Sequence, residues 1–125
     1  MKEVIIGGKS ADVRVISRAI YKWANEAMPE RVAADAIKKL SMEEVPELWR
    51  ALKETGKIDP GEIADVLILA LDICELSDID PLEAIHEKMI INMGRTWKFE
   101  YGVAQHVEKP IYSRCGDLIE DEHED

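Results

Sequence analysis

Apolar residues recur every three or four positions over most of the chain, which is the spacing of amphipathic helices. One stripe runs from about residue 11 to residue 27, and a second covers about residues 30 to 54, with room for an interruption. The dipeptide Thr55-Gly56 predicts the end of the second helix. Trp23 and Trp49 lie on these stripes, so we expect both side chains in the core.

Two further helices begin with a shared local pattern. Segments 59–62 and 80–83 each place Asp at the N-cap, Pro at the first helical position and Glu three residues after the cap, which satisfies the free backbone N–H groups of a helix start. They predict a third helix over about residues 60–76 and a fourth over about residues 81–94. The third helix is apolar on nearly all sides, which indicates a central position or a subunit interface.

The periodicity ends at Gly94, after which aromatic and β-branched side chains are mixed with Gly, Pro and charge. We expect irregular chain or short strands there, and a short strand at residues 2–6. Helices of about 15 residues joined by short loops can cover their apolar stripes only by packing together. The sequence therefore predicts an all-α fold, a small antiparallel four-helix bundle.

The 125 residues amount to one domain. No apolar run approaches the roughly 20 residues of a membrane-spanning helix, and the apolar stretch at the N-terminus is too short for a signal peptide. Cys74 and Cys115 are isolated, which fits a reducing compartment. We therefore expect a cytoplasmic protein that does not bind membranes.

The net charge of -10 is concentrated at the C-terminal end. The last nine residues hold six acidic side chains and no Lys or Arg, whereas the other 116 residues carry 16 basic against 20 acidic side chains. We expect one domain over residues 1–116 and a solvated acidic tail over residues 117–125. The chain lacks the basic balance that nucleic-acid binding needs, so we expect no nucleic-acid partner.

Acidic side chains at helical spacing are the first candidate for chemistry. They are Glu43, Glu44 and Glu47 in the second helix, and Glu62 and Asp65 in the third. Asp65 lies inside the most apolar helix, where an unpaired carboxylate is costly to desolvate, so a positive partner is expected. Like charges about 4 Å apart repel by about 4 kcal/mol at an effective dielectric near 20. Such a cluster is tolerable with divalent cations between the acids, and oxygen ligands favour Mg²⁺ or Mn²⁺ over Zn²⁺.

A second candidate is polar and cationic. Lys88, Asn92 and Arg95 stand at i, i+4 and i+7, along one face of the fourth helix. An ammonium group, an amide and a guanidinium fork on one face suit a polyphosphate. An anionic substrate would then complete the charge balance between these groups and the metal ions.

The spacing of the acids resembles a motif, E-E-x-x-E followed by E-x-x-D, of the all-α nucleoside triphosphate pyrophosphohydrolases, the MazG-like superfamily. Here the motif reads Glu43-Glu44-Val45-Pro46-Glu47, then fourteen intervening residues, then Glu62-Ile63-Ala64-Asp65. Residues 87–97 resemble the Lys…Asn…Arg segment of that superfamily. The chain is most similar to the small dATP/dGTP pyrophosphohydrolase subfamily, whose phage members include a dGTP-cleaving MazZ type. The resemblance covers most of the chain.

This resemblance implies metal-dependent hydrolysis of a purine (deoxy)nucleoside triphosphate, dGTP or dATP, to the monophosphate and pyrophosphate. It implies Mg²⁺, with Mn²⁺ as a substitute, a homodimer or homotetramer, and the host cytoplasm for a phage-encoded chain. The implied roles are metal binding by Glu44, Glu47, Glu62 and Asp65, positioning or deprotonation of the attacking water by Glu43, and phosphate binding by Lys88, Asn92 and Arg95.

Several alternatives stay open. Glu44 and Glu62 are also explained as the third residues of capping boxes begun by Ser41 and Asp59. Pro46 should kink or restart the second helix, which leaves open how Glu43 and Glu44 divide their roles. Two other functions compete: a broad housecleaning pyrophosphohydrolase for noncanonical nucleotides, and a catalytically silent helical interaction module that docks through its acidic tail.

Overall fold

The computed structural model describes residues 12–107 in full and the backbone of residues 111–112 and 118–119. The helices are α1 (Val13–Ala27), α2 (Ala33–Lys39), a π-helix (Leu40–Glu44), α3 (Val45–Thr55), α4 (Pro60–Leu76) and α5 (Pro81–Met93). Strands β1 (Thr96–Glu100), β2 (Val103–Val107), β3 (Ile111–Tyr112) and β4 (Leu118–Ile119) follow. The helical fold class is confirmed. The predicted strand at residues 2–6 lies outside the described residues, as does the acidic tail apart from the two residues of β4.

The helix ends lie where capping chemistry predicted them. Asp59 accepts a hydrogen bond from the backbone N–H of Glu62 at 2.9 Å, and Asp80 accepts one from that of Leu82 at 2.9 Å. Gly56 ends α3 with a φ of 74°, the left-handed conformation that glycine adopts without strain. The predicted starts of the third and fourth helices and the end of the second are therefore confirmed.

The second predicted helix is interrupted by the π-helix. The backbone N–H of Val45 donates to the carbonyl of Leu40, five residues earlier, and Pro46 in the first turn of α3 has no N–H with which to continue the α-helical pattern. Ser41 lies inside the π-helix, where its hydroxyl donates to a backbone carbonyl three residues earlier at 3.3 Å. The interpretation of Ser41 and Glu44 as a capping box is therefore wrong, because no new helix starts at Ser41.

Contacts divide the chain into two compact units, residues 1–85 and residues 86–125. In the first unit, α4 lies against α1, α2, the π-helix and α3. Ser17 and Ala24 are buried on α1, where small side chains allow a close approach between helices. The Ser17 hydroxyl also donates to Oε2 of Glu75 on α4 at 3.0 Å, so a hydrogen bond joins the two helices within the interface.

The second unit contains an antiparallel hairpin. β1 and β2 pair along their full length, with Trp97 opposite His106, and their rings meet edge to face at 5.8 Å. Tyr101 and Gly102 both have positive φ, as a two-residue type I′ turn requires. β3 and β4 form a second antiparallel pair. The short strands expected after Gly94 are confirmed.

The sequence did not predict a buried ion pair of the first unit. Arg31, in the loop before α2, donates from Nε to Asp72 Oδ2 at 2.6 Å and from Nη2 to Asp72 Oδ1 at 2.7 Å. Only 11% of the Arg31 side chain and 4% of the Asp72 side chain are exposed. Arg31 also donates to Asn25 Oδ1 at 2.8 Å and lies over the Tyr21 ring. This buried pair fixes the loop between α1 and α2 to α4.

The predicted core is covered less than expected. Trp23 and Trp49 are each 58% exposed, and Leu67 on α4 and Ile85 on α5 are 56% and 53% exposed. The assignment of Trp23 and Trp49 to the core is wrong, because the neighbouring helices leave part of the apolar surface uncovered. Among the residues that the structure describes, no helix combines the length and the apolar character needed to span a membrane.

We predict that Asp72→Ala lowers the free energy of unfolding by about 3–5 kcal/mol, because it leaves the buried Arg31 guanidinium without its counter-ion. Urea denaturation followed by far-UV circular dichroism measures the change. The control is Glu100→Ala, which removes the partner of the exposed Lys98 and should cost less than about 1 kcal/mol. Equal effects of the two variants would contradict the assignment of Arg31–Asp72 as a buried structural pair.

Candidate metal centre

Three glutamates from consecutive helical elements meet at one point of the first unit. Glu44 ends the π-helix, Glu47 lies in the first turn of α3, and Glu62 lies in the first turn of α4. Each offers a carboxylate oxygen, and these oxygens all lie within 4.8 Å of one another. A divalent ion with Mg–O bonds of about 2.0–2.1 Å separates its ligand oxygens by about 3–4 Å. The cluster therefore needs only a small contraction to bind one.

The cluster contains carboxylate oxygens that hydrogen bonding has not satisfied. Glu44 is only 8% exposed, and the buried Oε2 atoms of Glu44 and Glu62 have no hydrogen-bond partner. Buried polar atoms without partners are costly to a fold. Two such oxygens in one all-oxygen donor set fit a hard cation such as Mg²⁺ or Mn²⁺.

Electrostatics at Glu62 point the same way. Desolvation by burial raises the pKa of Glu62, and repulsion from Glu47, Asp65, Asp59 and Glu44 raises it further. Each of these causes disfavours the ionised carboxylate, and a bound cation would reverse that penalty. The capping bond to Asp59 uses only the backbone N–H of Glu62, so the Glu62 carboxylate stays available to a cation.

Asp65 is placed differently from its expected surroundings. Its side chain is exposed, and it lies outside the group of three glutamates, although it is near enough to Glu62 to raise the pKa of that residue. The acid of α4 that is buried and paired with a cation is Asp72. The prediction that Asp65 is buried is therefore wrong, because α4 is apolar all round and its pattern does not mark the inward face. Its metal-binding role stays a prediction.

Glu43 and Lys39 lie at the edge of the cluster. Glu43 is exposed, and its Oε1 atom is 3.3 Å from the Lys39 ammonium nitrogen, which is also 3.3 Å from Glu44 Oε1. Hydrogen bonds to Glu43 and then Glu44 raise the pKa of Lys39. The spacing of the sequence did not reveal Lys39, because it stands five positions before Glu44, and residues at that spacing do not share a face in an α-helix.

The predicted phosphate-binding residues belong to the second unit. Lys88 and Asn92 lie on α5, Arg95 follows it, and all three are half-buried. The backbone carbonyl of Asn92 accepts hydrogen bonds from the Trp97 indole at 2.7 Å and from the Arg95 backbone N–H at 3.2 Å. These bonds fix the end of α5 to the start of the hairpin, and the phosphate-binding role of the three residues stays a prediction.

A cavity of about 240 Å³ lies elsewhere in the first unit. It is lined by Arg14, Arg18, Glu75, Asp78, Ile79, Asp80 and Pro81. Arg14 already pairs with Asp12 at 3.2 Å and approaches Asp80 at 3.9 Å, so its charge is largely compensated. None of the predicted site residues lines this cavity. The glutamate cluster is therefore the better candidate for a functional site.

Comparison with known proteins supports the same class. No protein-family model matches the chain. It is 38% identical over 98 residues to a dATP/dGTP diphosphohydrolase of Cyanophage S-2L, across 78% of this chain and 90% of the relative. It is 43% identical over 101 residues to a dATP/dGTP diphosphohydrolase of Salmonella phage PMBT28, across 80% of this chain. The chain spans only 32% of the length of that second relative.

A solved structure extends the match to the fold. The Cyanophage S-2L MazG-like pyrophosphohydrolase, bound to dGDP and three catalytic Mn²⁺ ions per active site, superimposes with a TM-score of 0.64 at 36% identity, covering 78% of this chain and 93% of that one. The fold is thus that of the MazG-like class. The chain belongs to the family of phage dATP/dGTP diphosphohydrolases, which confirms the resemblance drawn from its acid motif.

We predict a pH effect on stability from the raised pKa of Glu62. Because the pKa of Glu62 is higher in the folded state than in the unfolded chain, the folded state holds this proton more tightly. With chelator present, the wild type should therefore lose stability as the pH rises from the ordinary pKa of about 4.5 through the raised pKa of the folded state. Glu62→Gln should lack this loss and melt higher near neutral pH. Melting temperatures between about pH 4 and pH 8 test this, with the exposed Glu26→Gln as control. Parallel pH profiles for wild type and Glu62→Gln would contradict it.

Proposed function

We propose that this chain is a divalent-metal-dependent hydrolase that converts a purine deoxynucleoside triphosphate, dGTP or dATP, to the monophosphate and pyrophosphate. The observation that carries the proposal is the cluster of Glu44, Glu47 and Glu62, with two buried carboxylate oxygens lacking hydrogen-bond partners. The names of the two phage relatives, and the dGDP and Mn²⁺ bound to the S-2L structure, support the same substrate class and metal type.

The metal ions would be held by Glu44, Glu47, Glu62 and Asp65. Mg²⁺ is the expected ion and Mn²⁺ a substitute; either supplies charge neutralisation for the phosphates and lowers the pKa of bound water. Asp65 is added to the three clustered glutamates because its exposed side chain lies close enough to Glu62 to raise the pKa of that residue.

Other residues would handle water and phosphate. Glu43 is exposed next to Glu44, so it can orient the attacking water or take its proton. The water oxygen bonds to the α-phosphorus, the bond from that phosphorus to the bridging oxygen breaks, and pyrophosphate leaves. Lys88, Asn92 and Arg95 would bind the phosphate oxygens through one ammonium, one amide and one guanidinium group.

The working form would be a homodimer or homotetramer. In the first unit, the large apolar side chains of Trp23, Trp49 and Leu67 are more than half exposed in the single chain. Obligate interfaces between subunits resemble a divided core and cover side chains of this kind. A second copy of the chain is the partner that would cover this surface. For a phage-encoded chain, the compartment would be the host cytoplasm.

We predict that dGTP or dATP with Mg²⁺ or Mn²⁺ yields the monophosphate and pyrophosphate, and that Glu47→Ala lowers kcat/KM at least about 100-fold by removing a metal ligand. Chromatography of products from all dNTPs and NTPs measures both. Glu26→Ala, an exposed acid on α1, is the control and should keep wild-type activity. Orthophosphate as the product, or Glu47→Ala within tenfold of wild type, would contradict the proposal. Preference for noncanonical bases would favour the housecleaning alternative, and no turnover would favour the interaction module.

We predict that Leu67→Glu shifts the chain toward monomer, because a charge placed on the exposed apolar face of α4 opposes burial in an interface. Sedimentation velocity measures the oligomeric state, and circular dichroism checks that the helices persist. Lys57→Glu, an exposed charge reversal in the α3–α4 loop, is the control and should assemble as the wild type does. A wild-type chain that sediments as a monomer at all concentrations would contradict the assembly.

A further inference from the structure

Lys39 links the surface of the first unit to a buried carboxylate of the candidate metal centre. Its ammonium nitrogen lies 3.3 Å from Glu43 Oε1 and 3.3 Å from Glu44 Oε1. Half of the Lys39 side chain is exposed, at 51%, as is that of Glu43 at 58%, but only 11% of the Glu44 side chain is exposed. One solvent-facing cation therefore reaches a carboxylate that the fold has otherwise enclosed.

The π-helix makes this double contact possible. In an α-helix, residues five positions apart are turned about 140° from each other, so a lysine pairs with an acid at i+4 but not at i+5. Here the backbone N–H of Val45 bonds to the carbonyl of Leu40, so the turn contains one residue more than an α-helical turn. Lys39 stands immediately before this wider turn, so residues four and five positions ahead both come within reach of its ammonium group.

The two oxygens of Glu44 have different surroundings. Oε1 faces Lys39, whereas Oε2 is buried without a hydrogen-bond partner in a residue of the three-glutamate cluster. The Lys39 ammonium and a divalent ion therefore draw on the negative charge of the same carboxylate. Two cations that share one carboxylate repel each other, so binding of the metal weakens the hold of the lysine.

We propose that Lys39 is an exchangeable counter-ion of the metal centre: it pairs with Glu43 and Glu44 in the absence of divalent ions and gives up Glu44 when they bind. The inference rests on the proposed metal site. Lys39 then stabilises the chain only without metal and reduces its affinity for metal. Its long, half-exposed side chain can leave the cluster for solvent without disturbing the helices.

The test compares wild type, Lys39→Met, Lys39→Arg and the neighbouring Lys38→Met, all without nucleotide. Melting temperatures are recorded in EDTA and in saturating MnCl₂, and isothermal titration calorimetry gives the Mn²⁺ affinity. Lys39→Met should melt about 1–5 °C below wild type in EDTA, match it in Mn²⁺, and bind Mn²⁺ about two- to fivefold more tightly. Lys39→Arg and Lys38→Met should behave as wild type.

Three results would overturn the exchange. They are unchanged or weaker Mn²⁺ binding by Lys39→Met, a melting difference that persists in Mn²⁺, and a Lys38→Met variant that behaves as Lys39→Met does. The first two would indicate that Lys39 orients Glu44 for the metal or is only a surface charge. A wild type that takes up no Mn²⁺ would instead remove the proposed metal function itself, so the two failures are distinguishable.

Discussion

Mutual repulsion between carboxylates is the constraint on which this structure depends. Glu44, Glu47 and Glu62 each bring one carboxylate oxygen within 4.8 Å of the others, and the Oε2 atoms of Glu44 and Glu62 are buried without hydrogen-bond partners. A fold that only had to be stable would separate these charges or replace them. We propose that a divalent cation accounts for their retention in one place, because its binding would turn the repulsion into coordination.

The surrounding helices hold the acids in this arrangement. The π-helix delivers Glu44 to the interior and lets Lys39 reach both it and Glu43. The capping bond from Glu62 to Asp59 fixes the first turn of α4. The buried pair of Arg31 and Asp72 joins α4 to the loop that leads into α2, so the helix that carries Glu62 is attached to the loop before the helices that carry Glu44 and Glu47.

The sequence predicted what local chemistry determines. Caps at Asp59 and Asp80 and the glycine at Gly56 give helix bounds close to the observed ones, and the spacing of the acids identifies the family. The π-helix was not predictable in detail, since Pro46 signals a disturbance but not its form. Long-range contacts were also missed: the uniform apolar pattern of α4 did not reveal that Asp72, rather than Asp65, faces inward.

Burial was the other point at which sequence reasoning fell short. Periodic stripes identified Trp23 and Trp49 as core residues, yet a stripe shows only which side chains need covering and not which surface covers them.

The most direct test of the central claim is anomalous diffraction from a crystal soaked in MnCl₂. We expect manganese peaks within coordination distance, about 2.0–2.3 Å, of carboxylate oxygens of Glu44, Glu47 and Glu62. A well-ordered crystal with no anomalous peak among these glutamates would contradict it.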